Sequence, residues 1–518
     1  MNFNKKLAVA LSGAVLLMAG QVALADSTTD IVDALVMKGV LTEEEGRLIT
    51  KGHTSKTSVS PVVKEKDGAF KLESANGRNS IQLTGRAQFD ARNISSPGDV
   101  NNVPNNADRD SATLADNFEL RRARIGVKGT FAKHYDYEIS TNLVGSSSNL
   151  VDIAYLNTGL ISTEKSKPLQ FRAGIYKQPF NLEDYGTSSN NIDFMERSYV
   201  NQLNPGKKSG FMLHGVLENG MTYAGSVYQH NTFGETDMES TGKGLAGRTS
   251  MNLSQIMGSK ETVFHLGIAG FDSEYGVIPT GSGAGHAAAA ATSGTVFSFR
   301  SEGRGLSNIY RAQIGGDPTG NAGAGLPSNK AAKINNKAIG LELAAAYGPF
   351  KIQGEYTGQS FNASHDSTAS VNAAVTAGYV EALWLLTGEK YADWYKNGAW
   401  GGIKPAKDFD GEKLSGLGAW EIGARYDAFD VQGMSLSGTG SRIGGSVAAG
   451  TQNAASGNLT GGASTYTAGI KWQLNSNMRV LANYSQTKFD HSFAPVDLNA
   501  LATINKENIF MLRSQFAF

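Results

Sequence analysis

Apolar and polar residues alternate with a period of two in segment after segment of this chain, and beyond its first 25 residues no run approaches the ~20 apolar residues of a membrane-spanning helix. Over 81–92, Ile81, Leu83, Ala87, Phe89 and Ala91 share one face, while Gln82, Thr84, Arg86, Gln88, Asp90 and Arg92 share the other. The alternation returns in Ala123, Ile125, Val127 and Phe131, in Leu169, Phe171, Ala173 and Ile175, and in Trp420, Ile422, Ala424 and Tyr426. It returns again in Tyr466, Ala468, Ile470, Trp472 and Leu474. One face of each segment suits hydrocarbon and the other suits water. If such a chain crosses a membrane, it crosses as strands, because only a closed sheet or a helix satisfies its own backbone there.

Soluble sandwiches alternate too, so the connections decide. Short turns at Ala132-Lys133-His134, Asn219-Gly220, Gly258-Ser259-Lys260, Gly348-Pro349 and Asn475-Ser476-Asn477 alternate with longer polar loops. The spacing predicts sixteen strands: 81–92, 118–131, 135–144, 150–160, 169–177, 210–218, 221–231, 247–258, 261–271, 338–347, 350–361, 374–387, 416–428, 464–474, 477–488 and 507–518. An even count with both ends on the short-turn side is the asymmetry of an outer-membrane barrel, with short periplasmic turns and long outer loops. Two stretches fit less well: 388–415 is long for an inner turn, and the Gly/Ala-rich 272–337 has room for a further hairpin.

The N-terminus reads as an export signal over residues 1–25. Asn4-Lys5-Lys6 is its positive region, Leu7 to Gly20 its apolar core and Ala23-Leu24-Ala25 its cleavage site, which places the mature start at Asp26. Residues 26–66 form a helical extension and linker: Ile31, Ala34, Leu35 and Lys38 follow turn spacing, Gly39 stops a helix, and Thr42 with Glu45 forms a capping box. Residues 67–518 are the barrel. The fold class is therefore all-β, a sixteen-stranded antiparallel transmembrane barrel with a short N-terminal helical extension, placed in a Gram-negative outer membrane.

Lys+Arg and Asp+Glu both number 47, so no global positive field exists and nucleic acid is an unsuitable partner. The chain has no cysteine, which removes disulfides, thiolate metal sites and cysteine nucleophiles. Gly242-Lys243-Gly244-Leu245-Ala246-Gly247 matches a GxGxxG pattern, but no helix follows to present amides to a pyrophosphate, and it reads as an outer loop. No HExxH or GxSxG segment occurs, so no catalytic residue, metal or cofactor is expected. Phe510, Leu512, Phe516 and the terminal Phe518 share one face, and this ending resembles the signal read by the barrel-assembly machinery.

Several stretches resemble the porin O/P family of phosphate-selective porins. They are Leu83-Thr84-Gly85-Arg86, Leu120-Arg121-Arg122-Ala123-Arg124, Pro179-Phe180-Asn181-Leu182-Glu183 with Thr187-Ser188-Ser189, and Met195-Glu196-Arg197. Leu386-Thr387-Gly388-Glu389, Gly402-Ile403-Lys404-Pro405 and Gly418-Ala419-Trp420-Glu421 with Ala424-Arg425-Tyr426 follow in the family's order. The resemblance implies a homotrimer in outer-membrane lipid, each barrel with its third outer loop folded inward; the strand count independently puts 178–209 at that loop. It also implies an arginine ladder leading anions to a lysine-rich constriction. Arg86, Arg121 and Arg122 match ladder positions, and Arg124 adds a positive group where the family's phosphate channels have an aromatic. The lysines expected after Phe-x-Leu-Glu and after the Ser-Ser pair are Asp184 and Asn190 here, a departure from the phosphate-selective pattern.

Strand parity turns twelve cations against eight acids into the lumen, among them Arg86, Arg122, Arg124, Lys128, Arg172 and Arg425. Rings of Arg and Lys favour anions, because guanidinium contacts replace part of an oxyanion's hydration. In the third loop Lys177, Arg197, Lys207 and Lys208 balance Glu183, Asp184, Asp193 and Glu196, the pattern of a network that anchors the loop. The expected function is passive diffusion of small anions, phosphate or related oxyanions. A weakly selective general porin for small hydrophilic solutes, or a barrel platform for adhesion or assembly, is the alternative. Asp184 is expected to oppose the arginine cluster, since unit charges ~4 Å apart interact by about 4 kcal/mol at an effective dielectric of ~20.

Overall fold

The computed structural model describes residues 32, 35–49, 61–66, 69–95, 117–144, 151–163, 166–230, 242–277, 294–304, 309–314, 332–365, 369–438, 441–444, 459–493 and 504–518. The export signal expected at 1–25 lies outside the described residues. The chain divides into two compact units, 1–83 with 127–136, and 84–126 with 137–518.

The first unit holds the two helical pieces, at 35–37 and 43–49. Gly39 sits at φ 69°, where a side chain would be strained, and Val40 N–H returns to the Leu35 carbonyl at 2.9 Å to close the first piece. The capping box forms: Thr42 N–H donates to Glu45 Oε2 at 2.9 Å and Glu45 N–H to Thr42 Oγ1 at 3.3 Å. Where a linker was expected up to Lys66, Val62–Lys66 instead pairs antiparallel with Ala69–Glu73. Alternation was too short there to stand out.

The strands of the barrel are β1 Ser80–Ser95, β2 Asn117–Phe131, β3 Tyr135–Asn142, β4 Val151–Ile161, β5 Lys167–Lys177, β6 Lys207–Val216, β7 Thr222–Gln229 and β8 Lys243–Asn252. They continue as β9 Thr262–Val277, β10 Ala332–Tyr347, β11 Phe350–His365, β12 Ala369–Leu385, β13 Ala419–Gly438, β14 Leu459–Gln473, β15 Met478–Phe493 and β16 Ile504–Ala517. The last strand pairs antiparallel with the first, from Asn508 opposite Ser95 to Ala517 opposite Arg86, and this closes a sixteen-stranded barrel. Closure matters because an open edge in hydrocarbon would leave backbone groups without partners. All sixteen expected strands are present with shifted ends. β8 starts at Lys243, so the Gly-rich motif lies in a strand and not in a loop; Gly244 there packs under the Tyr228 ring, where no Cβ fits.

The outer wall follows hydrocarbon. Along β10 the outward residues are Tyr347, Leu343, Leu341 and Ile339, followed by exposed Lys337 and Lys333. From Tyr347 to Lys337 the strand rises by about 26 Å at a tilt of ~40°, which matches the ~25 Å apolar band of such barrels. At the short-turn end, aromatic rings stack in pairs, Trp420 on Trp472 at 5.0 Å and Phe350 on Trp384 at 5.6 Å.

Three segments fold into the lumen. The third long loop, 178–206, carries a π-helical turn at Asn181–Gly186 and a 3-10 turn at Tyr199–Leu203. In the connection between β9 and β10, Gly294–Phe299 pairs with Tyr310–Ile314, which also pairs with Ser441–Gly444. This is the hairpin for which 272–337 had room. The long connection after β12 carries a 3-10 turn, Tyr391–Trp394, and a two-residue hairpin, Tyr395–Lys396 with Ala399–Trp400. Its length, excessive for a plain turn, is used inside the barrel, where Tyr391 and Trp400 are buried. Tyr199, Leu203, Phe297, Phe299 and Tyr310 then form a core with inward residues of the wall, including Phe361, Val371, Val375, Phe429 and Phe489.

Candidate functional site

The third loop is placed by the wall. Phe180 meets Phe271 edge to face at 5.0 Å, and Asn181 turns the chain at φ 59°, a conformation asparagine tolerates. Leu182 and Glu183 N–H groups donate to the Glu355 carboxylate on β11, both at 2.7 Å. Met195 N–H donates to Asn483 on β15 at 3.0 Å, and Tyr199 N–H to Asp427 on β13 at 2.7 Å. Inward polar residues of the wall thus satisfy backbone donors that the irregular loop cannot pair itself.

Each of the loop's acids also has a cation. Asp184 lies 3.1 Å from Lys177 and 3.0 Å from Arg197. Asp193 is shared by Lys351 at 2.5 Å and Lys471 at 3.2 Å. Glu196 receives Arg92 at 3.0 Å, Arg121 at 3.0 Å and Arg513 at 3.1 Å, and Glu183 lies 3.3 Å from Arg425. Burial would raise the Asp184 carboxyl, but Lys177 and Arg197 outweigh it and hold it at about 2. Glu196 is likewise held well below the carboxylate range, burial being outweighed by Arg121 and Arg513.

With the acids engaged, three guanidinium groups gathered near Ser189–Ile192 rest on neutral partners. Arg86 on β1 donates to Ser189 Oγ at 2.9 Å, and Arg122 on β2 donates to Gln88 Oε1 at 2.8 Å. Arg479 on β15 donates to the Ile192 carbonyl at 3.2 Å and to Gln515 Oε1 at 2.9 Å. Gln88 and Gln515 are bonded to one another at 2.5 Å, and Gln515 donates to the Asn190 carbonyl at 3.3 Å. Arg86 and Arg479 therefore reach the Ser189–Ile192 stretch directly and Arg122 stands behind it through Gln88 and Gln515, all three on hydroxyl, amide or carbonyl groups, and no described carboxylate forms an ion pair with them.

The expected residues sort unevenly. Alternation sends Arg121 and Arg122 to opposite faces of β2, yet both reach lumen partners: Glu119 and Arg121 bond Arg92 and Glu196, whereas Arg122 and Arg124 bond Gln88 and Asp152. Arg124 and Lys207 share Asp152. Arg172 stacks over Tyr155 with its guanidinium carbon 4.2 Å from the ring centroid. Lys128 is exposed and belongs to the first unit. Lys177 and Arg197 knit the third loop, donating also to the carbonyls of Asp184 at 2.5 Å and Glu183 at 3.0 Å. Asn190 is half-buried beside Gln515.

Two expectations are corrected. Arg425 does not line open lumen: it is buried and bonds Glu302 at 2.6 Å and the Glu196 carbonyl at 2.8 Å, because the hairpin of 294–314 covers it. Asp184 does not oppose the arginine cluster, since Lys177 and Arg197 already neutralise it. Arg479 was legible only as a luminal cation, Ser189 only as part of the Thr187-Ser188-Ser189 motif, and Gln88 and Gln515 gave no signal, being uncharged positions in polar alternation. At the C-terminus, Phe518 and Gly85 exchange backbone bonds of 2.9 and 3.0 Å, and the Phe518 ring occupies the space that a Cβ at Gly85 would need.

The family model for phosphate-selective porin O and P matches residues 81–518. Porin O of Pseudomonas aeruginosa is 23% identical over 448 residues, covering 84% of this chain and 89% of that protein. Among solved structures, in-vitro folded OmpT, an outer membrane protein of Vibrio cholerae, aligns over 85% of this chain and 98% of its own, with 11% identity and a TM-score of 0.45. An anion-selective porin from Comamonas acidovorans aligns over 85% and 100%, with 11% identity and a TM-score of 0.42.

Proposed function

This chain belongs to the phosphate-selective porin O and P family and is an outer-membrane porin, from which we propose that it passes small anions by diffusion as a homotrimer exported through a cleaved signal peptide. One observation carries the anion reading: the acids of the third loop are all paired, while Arg86, Arg122 and Arg479 have neutral partners only. A guanidinium bonded to an amide or a hydroxyl keeps its charge and can exchange that weak partner for an oxyanion, so it replaces part of the ion's hydration shell. Several such groups in series let the ion leave again.

Arg86, Arg122 and Arg479 are the selecting groups in this reading, with Arg124, shared between Asp152 and the stream of anions, as a weaker one. Lys177 and Arg197 act through Asp184, and Arg121 and Arg425 through their own acids, as positioning residues for the constriction. Asn190, standing where the family's phosphate channels have a lysine, supports a preference for anions over cations in which inorganic phosphate is held weakly. Phe518 and Gly85 form the seam at which the barrel-assembly machinery reads the last strand.

Reversal potentials in a KCl gradient across planar bilayers test this. The wild-type channel is expected to prefer chloride, and Arg86→Glu with Arg122→Glu is expected to reverse the sign. A wild-type potential of zero would leave a general diffusion porin, and a folded protein without ion current would end the channel reading for this chain.

A further inference from the structure

On the wall below the third loop, Arg172 stands in a setting unlike that of the other luminal cations. It lies on β5 five residues from the root of the loop at Lys177, opposite Asn157 of β4 and Met212 of β6. Its guanidinium carbon is 4.2 Å from the Tyr155 ring centroid and 5.8 Å from that of Tyr176, both within cation–π range. Tyr185 of the third loop reaches down to the same wall and donates its hydroxyl to Met212 Sδ at 3.7 Å. The polar groups alongside satisfy one another: His214 Nε2 meets Asn157 Oδ1 at 2.7 Å, and Asn157 Nδ2 donates to Gln170 Oε1 at 3.1 Å. Arg172 forms no ion pair with any described carboxylate, and its Nε is buried without a partner.

From this we infer that the wall around Arg172 is a subsite for organic anions with a planar apolar body, aromatic carboxylates in particular. The inference rests on the anion-channel reading and names a substrate class for it. Inorganic phosphate needs donors from several sides to replace its hydration, and this site supplies the edge of one guanidinium whose face a tyrosine covers. A carboxylate needs two parallel N–H groups, which that edge supplies. Half-buried Tyr155 and Tyr185 then offer ring surface to a flat body attached to the carboxylate.

Block of chloride current by benzoate, acetate and inorganic phosphate, applied in turn to the folded porin in planar bilayers, tests the inference. Benzoate is expected to block at concentrations about tenfold lower than acetate. Arg172→Gln is expected to weaken benzoate block about tenfold and leave phosphate block within twofold, and Tyr155→Leu to remove the advantage of benzoate over acetate. Heat-modifiable mobility establishes that each variant is folded, and Arg172→Lys, which keeps the charge without the planar edge, serves should Arg172→Gln misfold; it too is expected to lose the benzoate advantage. Equal block by benzoate and acetate in a chloride-preferring wild type overturns the subsite and leaves the anion channel standing. So does benzoate block that survives both Arg172 variants. A channel without chloride preference overturns both readings together.

Discussion

Arg425 Nη2 donates to Glu302 Oε1 at 2.6 Å, and through this bond a wall residue of β13 holds the hairpin of the 278–331 connection inside the barrel. The same guanidinium reaches Glu183 of the third loop at 3.3 Å, so one side chain joins two inward segments. Thr467 Oγ1 also donates to Glu302, at 2.7 Å. One of only two acids in the sequence of that Gly/Ala-rich connection, Glu302, is thus its fastening.

Replacing Arg425 by leucine leaves Glu183 and Glu302 buried without their cation, a loss of the kind that costs about 3–5 kcal/mol. The variant is expected to show larger and noisier single-channel conductance and a lower unfolding midpoint in denaturant. Glu302→Gln, which keeps a hydrogen-bonding oxygen, is expected to show the same noise in milder form. Unchanged conductance in both variants would remove the fastening role.

Asp184 provides a test by pH. Its folded carboxyl lies at about 2, below the ordinary ~3.9 of an aspartate, because Lys177 and Arg197 outweigh burial. A depressed carboxyl contributes stability that is fully present above the unfolded value and is lost as pH falls through the folded one. The stability gap between wild type and Asp184→Asn is therefore expected to be flat from about pH 6 to about 4.5, at roughly 2 kcal/mol, and to close as pH approaches ~2. A gap that closes already near pH 6 would mean that the pairing does not hold Asp184.

Trp400 covers Lys351, its ring centroid 4.7 Å from the ammonium, and Tyr391 adds a second ring at 5.4 Å. Trp400→Ala removes a buried aromatic from the cluster with Leu182, Phe194 and Leu385, which costs about 3–5 kcal/mol in a core of this kind. Larger unit conductance in 1 M KCl is the expected readout, since the segment fills lumen from the short-turn side. If conductance stays constant while stability falls, the segment is structural and stands clear of the ion path.

Gly85 faces the Phe518 ring so closely that a Cβ would come within 2.3 Å of it. Gly85→Leu is expected to lift the ring from its seat and to reduce the folded barrel recovered from cells, as deletion of Phe518 would. Refolding into detergent should suffer less, because the backbone bonds between Gly85 and Phe518 do not depend on the ring. Equal losses in both settings would place the defect in closure of the barrel and not in recognition of the last strand.

Sixteen strands and the short-turn side were legible because a β-strand in a membrane wall writes its two faces directly into alternate residues, whereas the inward fold of the third loop was implied only by the family resemblance. The capping box at Thr42 and Glu45 was legible for a similar reason, since its partners lie three residues apart. The inward-folding hairpin was harder to see. Phe361, Val371 and Val375 point inward and cover it, so at the loop-side ends of β11 and β12 the inner face turns apolar, whereas nearer the short turn β11 keeps polar Lys351, Gln353 and Glu355 inside as the alternation rule expects.

The sequence by itself determined the period, the number of crossings and the supply of arginines and acids that face inward. Which arginines remain available to an anion was decided only by the tertiary structure. Arg425 and Arg122 have the same chemistry and the same luminal parity, yet one is consumed by Glu302 and Glu183 and the other rests on Gln88. The reason is physical: a charge is neutralised by whatever lies within a few ångströms, and in a closed barrel those neighbours arrive from loops more than a hundred residues away in sequence.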